Sequence, residues 1–279
     1  MAAPLISALI PNYNHGRYLA KCFAGLLGQS FTDFEIIVTD DGSTDNSREI
    51  IEEYARRDSR FRPNFFPANR GIKAAFQDMN NRATGKYLYG GAADDFVIHK
   101  EFFRNAVAAL EADPRPAGFY GITGIYLAEK EKLVESCGTA EVEGYNTPQQ
   151  CCEGFVKCRS VVTSPSAIWR RDLFHEYGGR RMEELLTRYG PQMDFYVNHL
   201  LAFKYGMYYE KAPFACQRIY EARTNYSANL HLWEAAQRFA ELEKGLREID
   251  ITYPGIENDW VRWRAYWMMD VIRKSGVRL

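Results

Sequence analysis

Phe34-Glu35-Ile36-Ile37-Val38-Thr39-Asp40-Asp41-Gly42-Ser43-Thr44-Asp45 is an apolar run that stops on an acidic cluster. Its aromatic and β-branched residues read as a strand over 34–39. The same arrangement recurs downstream, where Tyr87-Leu88-Tyr89-Gly90-Gly91-Ala92-Ala93 stops on Asp94-Asp95. Carboxylates gathered at strand ends repel one another unless a cation or a ligand's polar groups lie among them. In open α/β sheets, ligands bind beyond the carboxyl ends of the strands. The two clusters therefore point to a nucleotide and a divalent metal.

Working outward, residues 5–10 read as a short buried strand ended by Pro11-Asn12-Tyr13-Asn14. Leu19, Cys22, Phe23, Leu26 and Leu27 then recur at helical spacing. Strand, helix and strand over 5–39 make a βαβ unit with a right-handed crossover. Thr44 or Asp45 is placed to cap a second helix with Ile50, Ile51 and Tyr54 inward. A third strand is expected over 60–66, a third helix carries Ile72, Ala75, Phe76 and Met79, and a fourth strand covers 87–91. This alternation predicts an α/β fold with a mixed, mostly parallel sheet flanked by helices. The rhythm changes after Glu111. Strands are expected over 119–127 and 132–136, a polar loop over 138–150, a strand over 164–169 and a short helix over 172–177. Asp194 opens a helix with Tyr196, Val197, Leu200 and Leu201, followed by short strands over 207–209 and 213–216. From about residue 229 the chain reads as mostly helical.

Composition narrows the function classes. With 279 residues the chain can bury a sizeable core. The 35 Lys and Arg against 36 Asp and Glu leave no overall basicity to argue for nucleic acid. Met1-Ala2-Ala3-Pro4 lacks the charged start of a signal peptide, and no stretch approaches the ~18 apolar residues of a membrane span. A cytoplasmic setting is expected. The six cysteines keep no metal-ligand spacing, so free thiols are expected rather than a zinc site at Cys151, Cys152 and Cys158.

Three stretches resemble the inverting family 2 glycosyltransferases of the GT-A fold: Ile10-Pro11-Asn12-Tyr13-Asn14, the cluster from Asp40 to Asp45, and Gly85-Lys86-Tyr87 leading into Asp94-Asp95. Gly190-Pro191-Gln192-Met193-Asp194 is a looser fourth. The resemblance implies a GT-A domain over 1–225, with a nucleotide-sugar half to about residue 100 and an acceptor half beyond it. A helical C-terminal extension over 226–279 would follow. It implies a nucleotide-diphosphate sugar donor, most often a UDP-sugar, a saccharide or lipid-linked acceptor, and bound Mg²⁺ or Mn²⁺. By the same resemblance Asp41 meets the base, Pro11 and Tyr13 line its pocket, Asp94 approaches the ribose, Asp95 ligates the metal and Asp194 is the general base. Many relatives carry a third acid where this chain has Ala92, and often a histidine near Tyr220-Glu221.

The residues leave alternatives open. Asp40 and Asp41 also suit an Asx turn, and Asp94-Asp95 a strand-end turn or cap. Asp194 also suits a helix start electrostatically, with Glu183 and Glu184 as reserve bases. Lys73 and Arg70, or else Arg218 and Arg223, are placed to reach the diphosphate. Trp169 reads equally as an acceptor platform or a core residue. Trp260, Trp263, Tyr266 and Trp267 recur at helical spacing with Arg262 and Arg264 between them. Such a helix suits peripheral contact with a membrane surface, or packing on the domain or on a second subunit in a homodimer. A dehydrogenase would need G-x-G-x-x-G where this chain has Pro11-Asn12-Tyr13-Asn14-His15-Gly16. A sugar-nucleotide-forming enzyme would need a glycine-rich basic loop there. A GT-A protein that binds carbohydrate or a partner without turnover is the non-enzymatic alternative.

Overall fold

The computed structural model describes residues 3–137, 140, 142–156, 162–176 and 193–220. The 226–279 extension lies outside them, as do Cys158, Glu183, Glu184, Glu221 and Arg223.

The first half follows the expected alternation. It runs β1 (Ile6–Asn12), α1 (Gly16–Leu27), β2 (Phe34–Asp40), α2 (Ser47–Arg57), β3 (Phe61–Phe65), α3 (Ile72–Arg82) and β4 (Tyr87–Gly90). Strand β1 continues through Pro11 to Asn12, paired with β2, instead of ending before the proline. Its pairing with β4 stops at Leu9, so the missing N–H of Pro11 costs no bond on that side. Helix α1 buries Leu19, Cys22, Phe23 and Leu26 as its spacing predicts. In α3, Ala75 and Met79 are buried but Ile72 is exposed, because it sits in the first turn beyond the edge of the sheet.

The second half departs further from expectation. It continues with β5 (Phe96–Val97), α4 (Phe102–Ala112), β6 (Gly118–Leu127), β7 (Lys132–Cys137), β8 (Gly144–Asn146) and α5 (Pro148–Val156). A 3₁₀ turn (Ser164–Ser166), β9 (Ala167–Arg170), α6 (Arg171–Phe174), α7 (Met193–Tyr205) and β10 (Met207–Ile219) complete it. The polar loop expected over 138–150 holds β8, paired with β10, and the start of α5. The strand expected over 164–169 begins only at Ala167, since Pro165 closes the turn ahead of it. The two short strands expected after residue 207 are one long strand, whose polar middle shifts register against β6 without breaking the ladder.

The ten strands among the described residues join one sheet, in the order β3-β2-β1-β4-β9-β6-β10-β5, with β7 on β6 and β8 on β10. Strands β3, β2, β1, β4, β6 and β10 run one way; β9, β5, β7 and β8 oppose them. Two apolar layers cover its faces. One gathers α1 and α4 side chains such as Phe23, Phe102 and Phe103, and the other α5 and α7 side chains such as Phe155, Leu201 and Phe203. Each such side chain contributes about 1.5–3 kcal/mol when fully buried. Trp169 belongs to the second layer at 3% exposure and is a core residue.

Candidate active site

Strand direction alone brings the functional residues to one edge. The C-terminal ends of β1, β2, β3, β4 and β10 lie there, as does the N-terminal end of the opposed strand β9. That edge therefore collects Tyr13, Asp41, the 66–71 loop, Asp94-Asp95, the 3₁₀ turn and Tyr220.

Within the first cluster the carboxylates divide the work. Asp40 makes the turn, accepting Ser43 N at 2.9 Å through Oδ1, and Ser43 Oγ at 2.6 Å and Asn12 Nδ2 at 2.7 Å through Oδ2. Asp45 accepts the N–H of Gly16 at 2.9 Å and of Ser47 at 3.0 Å, tying the starts of α1 and α2 together. Asp41 points elsewhere. It is 3% exposed and accepts the backbone N–H groups of Arg70 at 2.7 Å and Gly71 at 2.8 Å. Directly after Asp41, Gly42 has φ +71°, and a Cβ there would stand 2.4 Å from the carbonyl carbon of Ala68, so only glycine fits. Asp41 thus fixes the loop that opens α3. Tyr13 stands exposed at the rim, Pro11 lies half-buried in β1, and Lys73 lies half-buried on the first turn of α3.

The second cluster is braced from β10. Asp95 is 8% exposed and accepts Arg218 N at 2.8 Å through Oδ1. Arg218 Nε donates to the carbonyl of Asp94 at 2.8 Å, and Tyr220 donates its hydroxyl to Asp94 Oδ2 at 3.0 Å. The Arg218 guanidinium stacks 4.4 Å above the Tyr18 ring and 5.1 Å from that of Tyr126. Arg218 is therefore turned inward, holding the aspartates, rather than outward toward a diphosphate. Sequence reading missed this role; the available signal was parity, since Arg218 shares the buried alternation of Phe214 and Cys216. Beneath the pair, Cys22 Sγ donates to the Ala92 carbonyl at 3.4 Å, and burial raises its thiol well above the ordinary range. The other described free cysteines, Cys151, Cys152 and Cys216, are buried too.

Burial, then the neighbouring charge of Asp94, pushes the Asp95 carboxyl well above the usual range, and the charge of Asp194 adds to the push. Asp194 stands at the same edge, beside the 3₁₀ turn. It is exposed on the first turn of α7 and accepts Ser164 Oγ at 2.9 Å through Oδ2. A hard divalent cation suits this setting, because its charge would offset the repulsion that burdens Asp95 and carboxylate oxygens are its preferred ligands. The described residues contain no cluster of three potential ligands, and Ala92 brings none, so a cation at Asp95 would complete its shell with ligand oxygens and water.

Comparison with known proteins agrees with this architecture. The family model described as Glycosyl transferase family 2 matches residues 7–178, well over half of the chain. The chain belongs to that family. Glycosyltransferase GlyG of Streptococcus pneumoniae is 29% identical over 195 residues, which cover 66% of this chain and 63% of GlyG. The chain spans about a third of EpsJ of Bacillus subtilis and less than two thirds of GlyG. Among solved structures, S. aureus TarS in complex with UDP-GlcNAc superposes with a TM-score of 0.73 at 15% identity, covering 98% of this chain and 76% of that one. The mannosyltransferase PcManGT from Pyrobaculum calidifontis, in complex with GDP-Man and Mn²⁺, gives 0.56 at 18% identity, covering all of this chain and 77% of that one. The fold is GT-A. No helix among the described residues is long and apolar enough to cross a membrane.

Proposed function

We propose that this family 2 glycosyltransferase moves a hexose from a nucleoside-diphosphate donor, preferably a UDP-sugar, to an acceptor hydroxyl with inversion. The observation that carries the reading is that one sheet edge holds both a buried strand-end carboxylate, Asp95, and an exposed one on a helix start, Asp194, bonded to the 3₁₀ turn ahead of β9. Displacement of a diphosphate needs positive charge at the leaving group and a base on the opposite face of the anomeric carbon. Asp194 takes the proton from the attacking hydroxyl. Asp41, Pro11 and Tyr13 hold the base, with Tyr13 offering an exposed ring for stacking. Asp94, oriented by Tyr220, faces the ribose, and Lys73 reaches toward the phosphates. A Mg²⁺ or Mn²⁺ ion at Asp95 would neutralise the departing diphosphate; the Mn²⁺ complex of PcManGT supports that assignment. Synthesis of a surface polysaccharide or another glycoconjugate at the cytoplasmic membrane face is the setting this chemistry suits.

Calorimetric titration of UDP with and without Mn²⁺ tests the donor half. Asp95→Asn should abolish the metal-dependent part of binding and, by removing a burdened buried charge, raise Tm in the metal-free protein. Asp194→Asn should bind UDP normally and lose turnover by at least about 100-fold. Ala92, in place of a third acid, favours a second reading as a binder without turnover. UDP binding with no sugar transfer and no donor hydrolysis would select it.

A further inference from the structure

An exposed aspartate on a helix start has freedom in both side-chain torsions, and a base that wanders is a poor base. Ser164 removes that freedom. Its Oγ lies 2.9 Å from Asp194 Oδ2, and Asn198, one turn further along α7 and 2% exposed, places Nδ2 3.0 Å from the same Oγ. An amide N–H can only donate. With its oxygen accepting from Asn198, the Ser164 hydroxyl directs its own proton to Asp194.

The turn that carries Ser164 is anchored to the sheet through the residues on either side of it. Thr123 Oγ1 on β6 donates to Ser166 Oγ at 2.7 Å, and Ser166 Oγ donates to the Ile122 carbonyl at 3.0 Å. Because the Thr123 proton is committed to Ser166, the 2.6 Å contact between the Thr163 and Thr123 hydroxyls is donated by Thr163. One directed chain of hydroxyls thus pins the 3₁₀ turn to β6, and the first residue of that turn reaches Asp194.

We propose that Ser164 is the positioning residue for Asp194, with Asn198 setting the direction of its proton. The pair orients one oxygen of the base relative to the sheet edge that carries Asp94 and Asp95. The inference rests on the reading of Asp194 as general base. A hydrogen bond donated to a carboxylate lowers its basicity, so the gain lies in orientation and not in proton affinity.

The test uses the full chain, a panel of UDP- and GDP-sugars with water as acceptor, and UDP affinity by calorimetry as a readout independent of turnover. Ser164→Ala should lower kcat about tenfold while donor KM and UDP Kd stay unchanged, and Ser164→Thr should restore most of the rate. Asn198→Asp should reproduce the Ser164→Ala loss, because an acceptor there draws the serine proton away from Asp194. Wild-type turnover by Ser164→Ala beside an inactive Asp194→Asn overturns the positioning role and leaves the base standing. Unchanged turnover in Asp194→Asn overturns the base and the proposal together, as does a wild-type protein that turns over no donor. Loss of UDP affinity in Ser164→Ala matching its loss of rate assigns the serine to folding and overturns the proposal as well.

Discussion

At the scale of single residues, adjacent aspartates have unequal settings. Asp94 keeps partial exposure and a tyrosine partner, while Asp95 is enclosed beside it and compensated by Arg218. Arg218→Met keeps much of the stem packing and the backbone N–H that Asp95 accepts, but removes the nearby guanidinium charge and the Nε bond to the Asp94 carbonyl, which should cost about 1–3 kcal/mol, read as a lower urea midpoint. Mn²⁺ with UDP should then raise the Tm of the variant more than that of the wild type. Equal shifts would separate Arg218 from the metal site. The aspartates themselves were legible because an apolar run ending in acid is a local signal. Arg218, Tyr220 and Ser164 were not, because each meets its aspartate only through strand pairing or helix packing across 30 to 126 residues of sequence.

At the scale of elements, one buried side chain couples β1, β2, β3 and the approach to β4. Glu35 on β2 is 4% exposed and accepts Ser7 Oγ at 2.6 Å, Thr84 N at 2.9 Å and Thr84 Oγ1 at 2.8 Å, and pairs with Arg62. Ser7 Oγ in turn accepts Gly85 N at 2.8 Å. Burial is the largest single influence on Glu35 and acts to raise its pKa, but the hydrogen bonds from Ser7, Thr84 and Arg62 together outweigh it and hold the carboxyl below its ordinary 4.5. A depressed folded value means that the clamp stabilises fully above the unfolded pKa and fades as pH falls through the folded one. Glu35→Ala should therefore cost about 2–3 kcal/mol at neutral pH, and the gap between variant and wild type should narrow as pH falls below 4.5 in urea titrations. A gap that stays constant with pH would mean the loss is packing alone. The elements of the first half were readable because each helix and strand carries its own period. In β10 the segment Glu210-Lys211-Ala212 looked like a gap between two strands, whereas a register shift carries the ladder through it.

At the scale of the molecule, the strands of the first half and those of the second half are one continuous sheet, joined where β4 meets β9. Neither half can swing against the other without breaking that ladder, so opening and closing belong to the loops along the edge. Hydrogen exchange with UDP and Mn²⁺ should accordingly slow amides in 41–46, 68–71 and 92–95 and leave the β4 and β9 amides unchanged; protection spreading into that seam would indicate a hinge. The seam also imposes an order on biosynthesis. After β4 leaves the ribosome, the next strand, β5, pairs only with the distant β10, and the strand that covers β4 does not emerge until residues 167–170. Throughout that interval Tyr87-Leu88-Tyr89 presents an open, apolar strand edge, the kind of surface that recruits neighbouring chains and chaperones. A nascent chain stalled before Ala167 would have β4 paired with β1 on one side and exposed on the other, and should aggregate more readily than the finished protein.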